Sequence, residues 1–136
     1  MATDDPRFGG IARLYGIEAL ARLQASHVAV VGIGGVGSWA AEALARTGIG
    51  RITLIDMDDI CVTNTNRQLP AMKGNIGRLK VEAMAERLQA INPGCEVRPI
   101  MGFVTPSTLA EYITDDIDCE VDCIDSVASK VALIAW

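Results

Sequence analysis

A glycine-rich turn between an apolar segment and a stretch of helical periodicity is the first feature of the sequence that could do chemistry. The turn covers Gly32–Gly37, and the apolar segment before it is His27–Val31. In a strand-turn-helix unit, one glycine permits a tight reversal, another lets backbone N–H groups approach a phosphate, and a third allows close packing of helix on strand. The turn predicts a nucleotide phosphate site, but alone it does not distinguish a nicotinamide cofactor from ATP.

An acidic residue at the end of the second predicted strand occupies the position of a ribose ligand. That strand covers Arg51–Ile55 and ends at Asp56, which lies 19 residues after Gly37. A carboxylate about 20 residues beyond such a turn accepts hydrogen bonds from a ribose. Asp56 therefore fits any adenine nucleotide, and the structural alternative is a carboxylate that caps the following loop.

A long irregular segment, Met57–Gly77, contains the next candidates. Loops of about 20 residues without periodicity are usually functional or mobile. This one contains Arg67, and Lys80 follows at the start of the next predicted helix. Arg offers a planar fork to phosphate oxygens and Lys a compact charge, whereas hydride transfer to a nicotinamide needs neither. Either residue alone would be read as a surface charge, but both together beside a glycine turn favour a triphosphate.

A second acidic residue, Asp125, is predicted at the end of the fourth strand, Glu120–Ile124, directly before a helix. A carboxylate there could hold a divalent metal that bridges phosphates, or orient a nucleophile. The alternative is a helix cap, which Ser126 can provide while Asp125 faces the crevice. Because the one histidine, His27, starts the first strand at the opposite edge, we expect it to have a packing role and predict no Ser-His-Asp or Cys-His arrangement.

The elements that must position these residues alternate between helix and strand. Five helical regions are predicted: residues 9–24 with a break at Gly16, the glycine turn to Gly48, Val81 to Ile91, Thr105 onwards, and 126–136. A third strand is predicted over Cys95–Met101. This order predicts an α/β fold, a doubly wound, Rossmann-like parallel sheet with helices on both faces and ligands at the carboxyl ends of the strands.

The predicted fourth strand has no evident outer neighbour, so its backbone edge would be open. We therefore expect residues 1–136 to be the N-terminal nucleotide-binding part of a single domain, truncated after the fourth strand, with residues 1–26 as a helical extension. A companion segment on another chain is the alternative.

Composition narrows the class of protein. Half of the 136 residues are hydrophobic and 4% are aromatic, as expected for a buried parallel sheet, and the net charge of -5 does not by itself indicate nucleic acid binding. No apolar run approaches about 18 residues and the N-terminus is polar, so we expect a cytoplasmic protein without membrane spans. The four cysteines form no C-x-x-C pair, which favours reduced thiols over a zinc site or disulfides.

Together these motifs resemble the ThiF/MoeB group of adenylating enzymes, relatives of the ubiquitin-activating enzymes. The resemblance covers essentially the whole chain, in order and spacing, through Gly32-x-Gly34-Gly35-x-Gly37, Asp56-x-Asp58, Asn64-x-Asn66-Arg67-Gln68, Lys80 and Asp122-Cys123-Ile124-Asp125. Within the group, residues 7–16, 67–71 and 125–127 look most like the tRNA threonylcarbamoyladenosine dehydratases.

The resemblance implies ATP-dependent adenylation of a carboxylate. In the dehydratases this is the threonyl carboxylate of the modified adenosine beside the tRNA anticodon, which then cyclises with release of AMP. The implied cofactors are ATP and Mg²⁺, with a monovalent cation as a further candidate. The implied partners are tRNA carrying threonylcarbamoyladenosine and a second copy in a homodimer.

The resemblance also assigns residues by motif. Those implied to bind the nucleotide are Gly34, Gly35, Gly37, Asp56, Asp58, Asn64, Arg67, Gln68, Lys80, Asp125 and Ser126. Catalytic roles are implied for Arg67, Lys80 and Asp125, and Asp125 is also the implied metal ligand.

Two departures and three alternatives accompany this interpretation. Relatives usually carry Arg-Tyr-x-Arg-Gln near the N-terminus, whereas Gly10 stands at the second arginine's place and Arg13 is a candidate substitute. Relatives also have about as much chain again beyond this point, so a missing C-terminal segment is a further expected partner. A sulfur-transfer protein is another. The alternatives are ThiF/MoeB-type adenylation of a sulfur-carrier protein C-terminus, a nicotinamide-dependent oxidoreductase, and a non-catalytic nucleotide-binding scaffold.

Overall fold

A four-stranded parallel sheet with helices on both faces makes up the computed structural model, which describes residues 3–135. The strands are β1 (His27–Val31), β2 (Arg51–Asp56), β3 (Glu96–Met101) and β4 (Cys119–Asp122), in the order β3-β2-β1-β4. The helices are α1 (Gly9–Tyr15), α2 (Ile17–Gln24), α3 (Gly37–Thr47), α4 (Lys80–Ile91), α5 (Leu109–Tyr112) and α6 (Val127–Ala135), with 3₁₀ turns at Pro6–Phe8 and Val62–Asn66. The predicted doubly wound, Rossmann-like parallel sheet is confirmed.

The central strand β1 is buried along its whole length, which explains its continuous apolar run. It pairs in parallel with β2 from His27↔Arg51 to Val31↔Ile55 and with β4 on its other side. One face of the sheet packs under α3 and α4, and the other packs under α5 and α6. Because β1 and β2 end level with each other, the segments that follow them meet at one edge.

The helix after the glycine turn ends where the sequence predicts. Gly48 adopts a left-handed conformation with φ of 100° directly after α3, so it forms a glycine C-cap. Its N–H group donates to the carbonyl oxygen of Ala45. This cap turns the chain back towards β2 and so sets the direction in which β2 delivers Asp56.

Two predicted boundaries were wrong. In both cases a side chain forms a hydrogen bond with the backbone where regular structure was predicted. The strand predicted to reach Ile124 ends at Asp122, whose Oδ1 accepts the N–H of Ile124 at 3.1 Å. The helix predicted from Thr105 is the single turn α5, since the N–H of Thr105 donates to Oγ1 of Thr108 at 2.9 Å and residues 105–108 form a turn. Asp125 therefore follows β4 by three residues.

The predicted packing role of His27 is confirmed at the amino edge of the sheet. The residue is buried, and its Nε2 lies 2.7 Å from Oγ1 of Thr53 on β2. No helix in the part of the chain that the structure describes is both long and apolar enough to span a membrane. Trp136, the last residue of the predicted final helix, lies outside the described residues.

Candidate nucleotide site

A cavity of about 290 Å³ opens at the edge where β1 and β2 end. Its lining comes from the glycine turn, the end of β2, the segment before α4 and the start of α6. Nine of the eleven residues predicted to bind a nucleotide line it: Gly34, Gly35, Asp56, Asp58, Arg67, Gln68, Lys80, Asp125 and Ser126. The fold therefore brings together residues that are up to 92 positions apart in the sequence.

The glycines of the turn have different structural roles. Gly32 has a φ of 96°, and a Cβ there would lie 2.6 Å from the carbonyl oxygen of Cys123. A Cβ at Gly37 would collide with the carbonyl oxygen of Gly32, so Gly37 allows α3 to pack on β1. Gly34 and Gly35 border the cavity. Because α3 begins without a side-chain cap, its positive dipole end is available to an anion in front of the turn.

The carboxylate of Asp56 is held in a fixed orientation at the end of β2. Its Oδ2 accepts the N–H of Ile33 at 2.7 Å, and its Oδ1 accepts the N–H of Asp58 at 2.8 Å. Asp56 thus ties the glycine turn to the loop after β2, as its structural alternative predicted. Each carboxylate oxygen can accept a further hydrogen bond, so the same group can also bind two vicinal hydroxyl groups at the cavity.

The guanidinium of Arg67 lies over the glycine turn without a carboxylate partner. Its Nη1 donates to the carbonyl oxygen of Thr63 at 3.1 Å and to Oδ1 of Asn66 at 2.9 Å. Its stem packs on Gly35, where a Cβ would come within 3.3 Å of the Arg67 Cγ. None of the ion pairs among residues 3–135 involves Arg67. The charge is therefore open to an anionic ligand.

Lys80, the first residue of α4, is a buried cation with a weak partner. It is 6% exposed, and its Nζ lies 4.0 Å from Oδ2 of Asp58. Buried charges are normally closely paired, and a cation at the N-terminus of a helix is disfavoured by the helix dipole. An anion in the cavity would supply the missing compensation.

Gln68 presents a second uncompensated group. The residue is 8% exposed, and its Oε1 has no hydrogen-bond partner among the described residues. Its Nε2 would lie 3.7 Å from a Cβ at Gly34, so the amide faces the glycine turn. Because a buried acceptor without a partner is costly, a ligand that donates a hydrogen bond here would stabilise the site.

The turn after β4 presents Asp125 to the cavity. Lys130 Nζ lies 3.1 Å from Oδ2 of Asp122, which fixes the base of the turn. Oγ of Ser126 accepts the N–H of Ser129 at 3.4 Å at the start of α6, as the capping alternative predicted, while Asp125 is exposed. Residues 3–135 contain no cluster of three or more His, Cys, Asp or Glu side chains that could hold a metal. Asp125 would fit Mg²⁺ only as one ligand beside phosphate oxygens, which is the usual mode for this ion.

Residues 10–136 match the ThiF family. The chain belongs to the ThiF family. It is 58% identical over 132 residues to the tRNA threonylcarbamoyladenosine dehydratase of Haemophilus influenzae, covering 97% of this chain and 51% of the relative. The Escherichia coli protein of the same name is 61% identical over 130 residues, covering 96% and 48%.

More distant relatives and solved structures agree with the ThiF assignment. The molybdopterin-synthase adenylyltransferase of E. coli is 34% identical over 125 residues, covering 92% of this chain and 50% of that protein. The crystal structure of the E. coli tRNA N6-threonylcarbamoyladenosine dehydratase, TcdA, in complex with ATP superposes on this chain with a TM-score of 0.95 at 58% identity. The match covers 99% of this chain and 57% of that chain. The ThiF-family chain thus spans about half the length of the curated relatives it matches.

Two predicted nucleotide ligands of this ThiF-family chain, Gly37 and Asn64, do not line the cavity. Gly37 packs against the backbone of Gly32, as described above. Asn64 is buried, and its Oδ1 accepts the N–H of Cys61 at 2.8 Å at the start of the 3₁₀ turn Val62–Asn66. Both residues therefore shape the segments that carry Gly34 and Arg67.

The cavity of the ThiF-family chain also has a wall that the sequence analysis missed. This apolar wall consists of Met57 after β2, and Phe103 and Val104 after β3. Cys123 also lines the cavity, and burial raises the pKa of its thiol above the ordinary value. The signal for the wall was available, because the residues after β3 must reach the same edge of a parallel sheet.

Proposed function

We propose that this chain is the ATP-binding part of a tRNA threonylcarbamoyladenosine dehydratase. The observation that carries the proposal is the cavity in which the unpaired guanidinium of Arg67 and the buried ammonium of Lys80 flank the glycine turn. Two cations there suit a triphosphate, since NAD has fewer phosphate charges to neutralise and hydride transfer needs no cation. The 58–61% identity to proteins named as dehydratases supports the choice of substrate.

The geometry supports a separate role for each part of the site. The backbone at Gly34 and Gly35 and the N-terminus of α3 would bind phosphate oxygens, and Asp56 would accept the ribose hydroxyl groups. Arg67 and Lys80 would contact phosphates, with Asp58 releasing Lys80 as the nucleotide enters. Gln68 and Ser126 would complete the polar lining, and the apolar wall at Phe103 would face the base. Gly37 and Asn64 would act through the segments that they shape.

The reaction would proceed in two steps. An oxygen of the threonyl carboxylate attacks the α-phosphorus of ATP, the bond to the β-phosphate oxygen breaks, and pyrophosphate leaves. A nucleophile of the neighbouring carbamoyl group then attacks the activated carbonyl carbon, loses its proton and expels AMP. The net change in the tRNA is loss of water. Arg67 and Lys80 would stabilise the charge that develops during phosphoryl transfer, which is where fixed cations contribute most.

Asp125 would provide the protein's ligand to Mg²⁺. Its carboxylate is exposed at the cavity, while Ser126 takes the capping role. Mg²⁺ usually binds one or two carboxylates together with phosphate oxygens, and when bound it would neutralise phosphate charge. A monovalent cation is a further proposed cofactor.

The proposed assembly is a homodimer that acts on tRNA carrying threonylcarbamoyladenosine. Leu14, Tyr15 and Ile17 leave large apolar side chains exposed at the junction of α1 and α2, which supports an interface at this end. The relatives are about twice as long, so we propose that residues 1–136 form the N-terminal nucleotide-binding part of one longer domain, with a C-terminal segment contributing to the tRNA surface. A sulfur-transfer protein remains a proposed partner.

A second candidate is adenylation of the C-terminal carboxylate of a sulfur-carrier protein. It is favoured by the 34% identity to the molybdopterin-synthase adenylyltransferase of E. coli. Both reactions share the ATP site and the acyl-adenylate step, so the substrate decides between them. Release of AMP and pyrophosphate on addition of the modified tRNA, and not on addition of a carrier protein ending in a free carboxylate, supports the dehydratase.

The binding step is tested by calorimetric titration of the chain with ATP and Mg²⁺. Arg67→Ala should weaken ATP binding by about 1.5 to 3 kcal/mol, because a charged hydrogen bond is lost. Lys73→Ala is a matched control, since Lys73 is an exposed cation of the same irregular segment that does not line the cavity. ATP affinity that is equal in both variants, or binding of NADH in place of ATP, would overturn the proposal.

A further inference from the structure

Two adjacent residues of the first turn of α3 connect the glycine turn to the segment that carries Arg67. Oγ of Ser38 donates to the carbonyl oxygen of Gly34 at 2.6 Å and accepts the N–H of Leu69 at 3.3 Å. The indole Nε1–H of Trp39 donates to the carbonyl oxygen of Arg67 at 3.0 Å. We infer that Ser38 and Trp39 are positioning residues for the nucleotide, which hold Arg67 and Gln68 over the glycine turn. This inference rests on the proposed function.

The burial of the two residues separates this role from ordinary packing. Ser38 is completely buried, so its hydroxyl needs partners, and it finds one on each of the two segments. Trp39 is 55% exposed, so its ring contributes little to the core. A phenylalanine would cover the same surface, but only the indole N–H reaches the Arg67 carbonyl. The hydrogen bond is therefore the specific contribution of tryptophan at this position.

The consequence for the site follows from how residues 67–69 are held. On one side, the N–H groups of Arg67 and Gln68 donate to the carbonyl oxygen of Asn64. On the other side, the contacts from Ser38 and Trp39 fix the segment against α3. With both sides held, the Arg67 stem packs on Gly35 and the Gln68 amide faces Gly34. A fixed guanidinium loses less conformational entropy on binding a phosphate than a free one.

The test uses the ATP and AMP affinities of the full chain with Trp39→Phe and Ser38→Ala, measured by calorimetry. In this inference Arg67 contacts the phosphates that AMP lacks, so each variant should bind ATP about threefold to tenfold more weakly and AMP within about twofold of the parent chain. Thr47→Val is the matched control, because Thr47 Oγ1 makes the same kind of bond to the Ala43 carbonyl oxygen, at 2.6 Å, at the other end of α3. It should change neither affinity.

A double substitution shows whether Trp39 acts through Arg67. In an Arg67→Ala background, Trp39→Phe should reduce ATP affinity by less than about twofold, since most of the interaction has already been removed. Three results would each overturn the inference: unchanged ATP affinity in the single Trp39→Phe variant, equal losses of ATP and AMP affinity, or a full additional loss in the double variant. None of them would count against ATP binding by the parent chain. A parent chain that binds no ATP would instead overturn the proposed function, and this inference with it.

Discussion

The Nζ of Lys80 lies 4.0 Å from the Oδ2 of Asp58, and among the described residues this exposed carboxylate is the one ion-pair partner of the buried lysine. The lysine is also the first residue of α4, where the helix dipole disfavours a cation. This arrangement is unfavourable in the free protein, and the proposed polyphosphate in the cavity would compensate it. In the proposed function, it is a local cost to stability at the place where a phosphate would need a positive charge.

Replacement of Lys80 by methionine should therefore separate stability from binding. Lys80→Met keeps the apolar stem and removes the charge, so thermal unfolding of the ligand-free chain should occur at the same or a higher temperature. ATP affinity should fall by about tenfold or more, because a charged hydrogen bond is lost. Differential scanning fluorimetry with and without ATP measures both effects. A destabilised variant that retains ATP affinity would contradict this account.

The substitution Asp56→Asn should weaken binding of ATP and AMP alike. Both nucleotides contain the ribose, and the amide would place an NH₂ group against the N–H of either Ile33 or Asp58. We expect a loss of about 1 to 3 kcal/mol in the free energy of unfolding, measured by urea denaturation, from the unsatisfied donor. Asp59→Asn is the control, because Asp59 is an exposed carboxylate of the same loop that does not line the cavity. A variant that loses ATP binding but keeps AMP binding would place Asp56 near the distal phosphates instead.

Alanine substitutions at two glycines of the turn should have different effects. Gly37→Ala forces a methyl group against the carbonyl oxygen of Gly32, and we expect it to destabilise the fold by about 1 to 3 kcal/mol or more. Gly34→Ala meets only the Gln68 amide at 3.7 Å, so the chain should fold normally while the methyl group hinders a phosphate. Circular dichroism melting curves and ATP titration distinguish the two. Equal stability of both variants would contradict the packing role of Gly37.

The thiol of Cys61 should react at lower pH than an ordinary cysteine. The hydrogen bond from Thr63 Oγ1, at 3.2 Å, lowers its pKa, and the charge of Lys80 contributes in the same direction. A lowered pKa means more thiolate at a given pH, so the pH midpoint of iodoacetamide labelling, followed peptide by peptide in a mass spectrometer, should lie below the ordinary value. Thr63→Val should move the midpoint upwards. An unshifted midpoint in the parent chain would refute this prediction.

The sequence predicted the elements because burial leaves a clear pattern. The apolar run of β1 and the glycine cap at Gly48 both follow from local rules, and Asp56 was placed at the cavity by its distance from the turn. The end of β4 and the start of α5 were not predicted, because Asp122 and Thr108 compete with regular structure through side-chain hydrogen bonds to the backbone. Such bonds depend on the local conformation that they stabilise.

Part of the candidate site was beyond sequence reasoning for a different reason. Arg67 and Lys80 could be predicted as phosphate ligands from their residue types, and the structure places both at the cavity. The weak pairing of Lys80, the unpartnered Oε1 of Gln68 and the bond from Trp39 to Arg67 are three-dimensional relationships that no spacing encodes. They are the features on which the proposed polyphosphate site rests.

Binding of ATP beside the glycine turn is tested most directly by calorimetric titration with ATP and Mg²⁺ of four proteins: the parent chain, Arg67→Ala, Lys80→Met and Lys73→Ala. We expect saturable ATP binding that Arg67→Ala and Lys80→Met each weaken by about tenfold or more, while Lys73→Ala binds like the parent. No ATP binding by the parent chain, or an affinity that is the same in all four proteins, would contradict it.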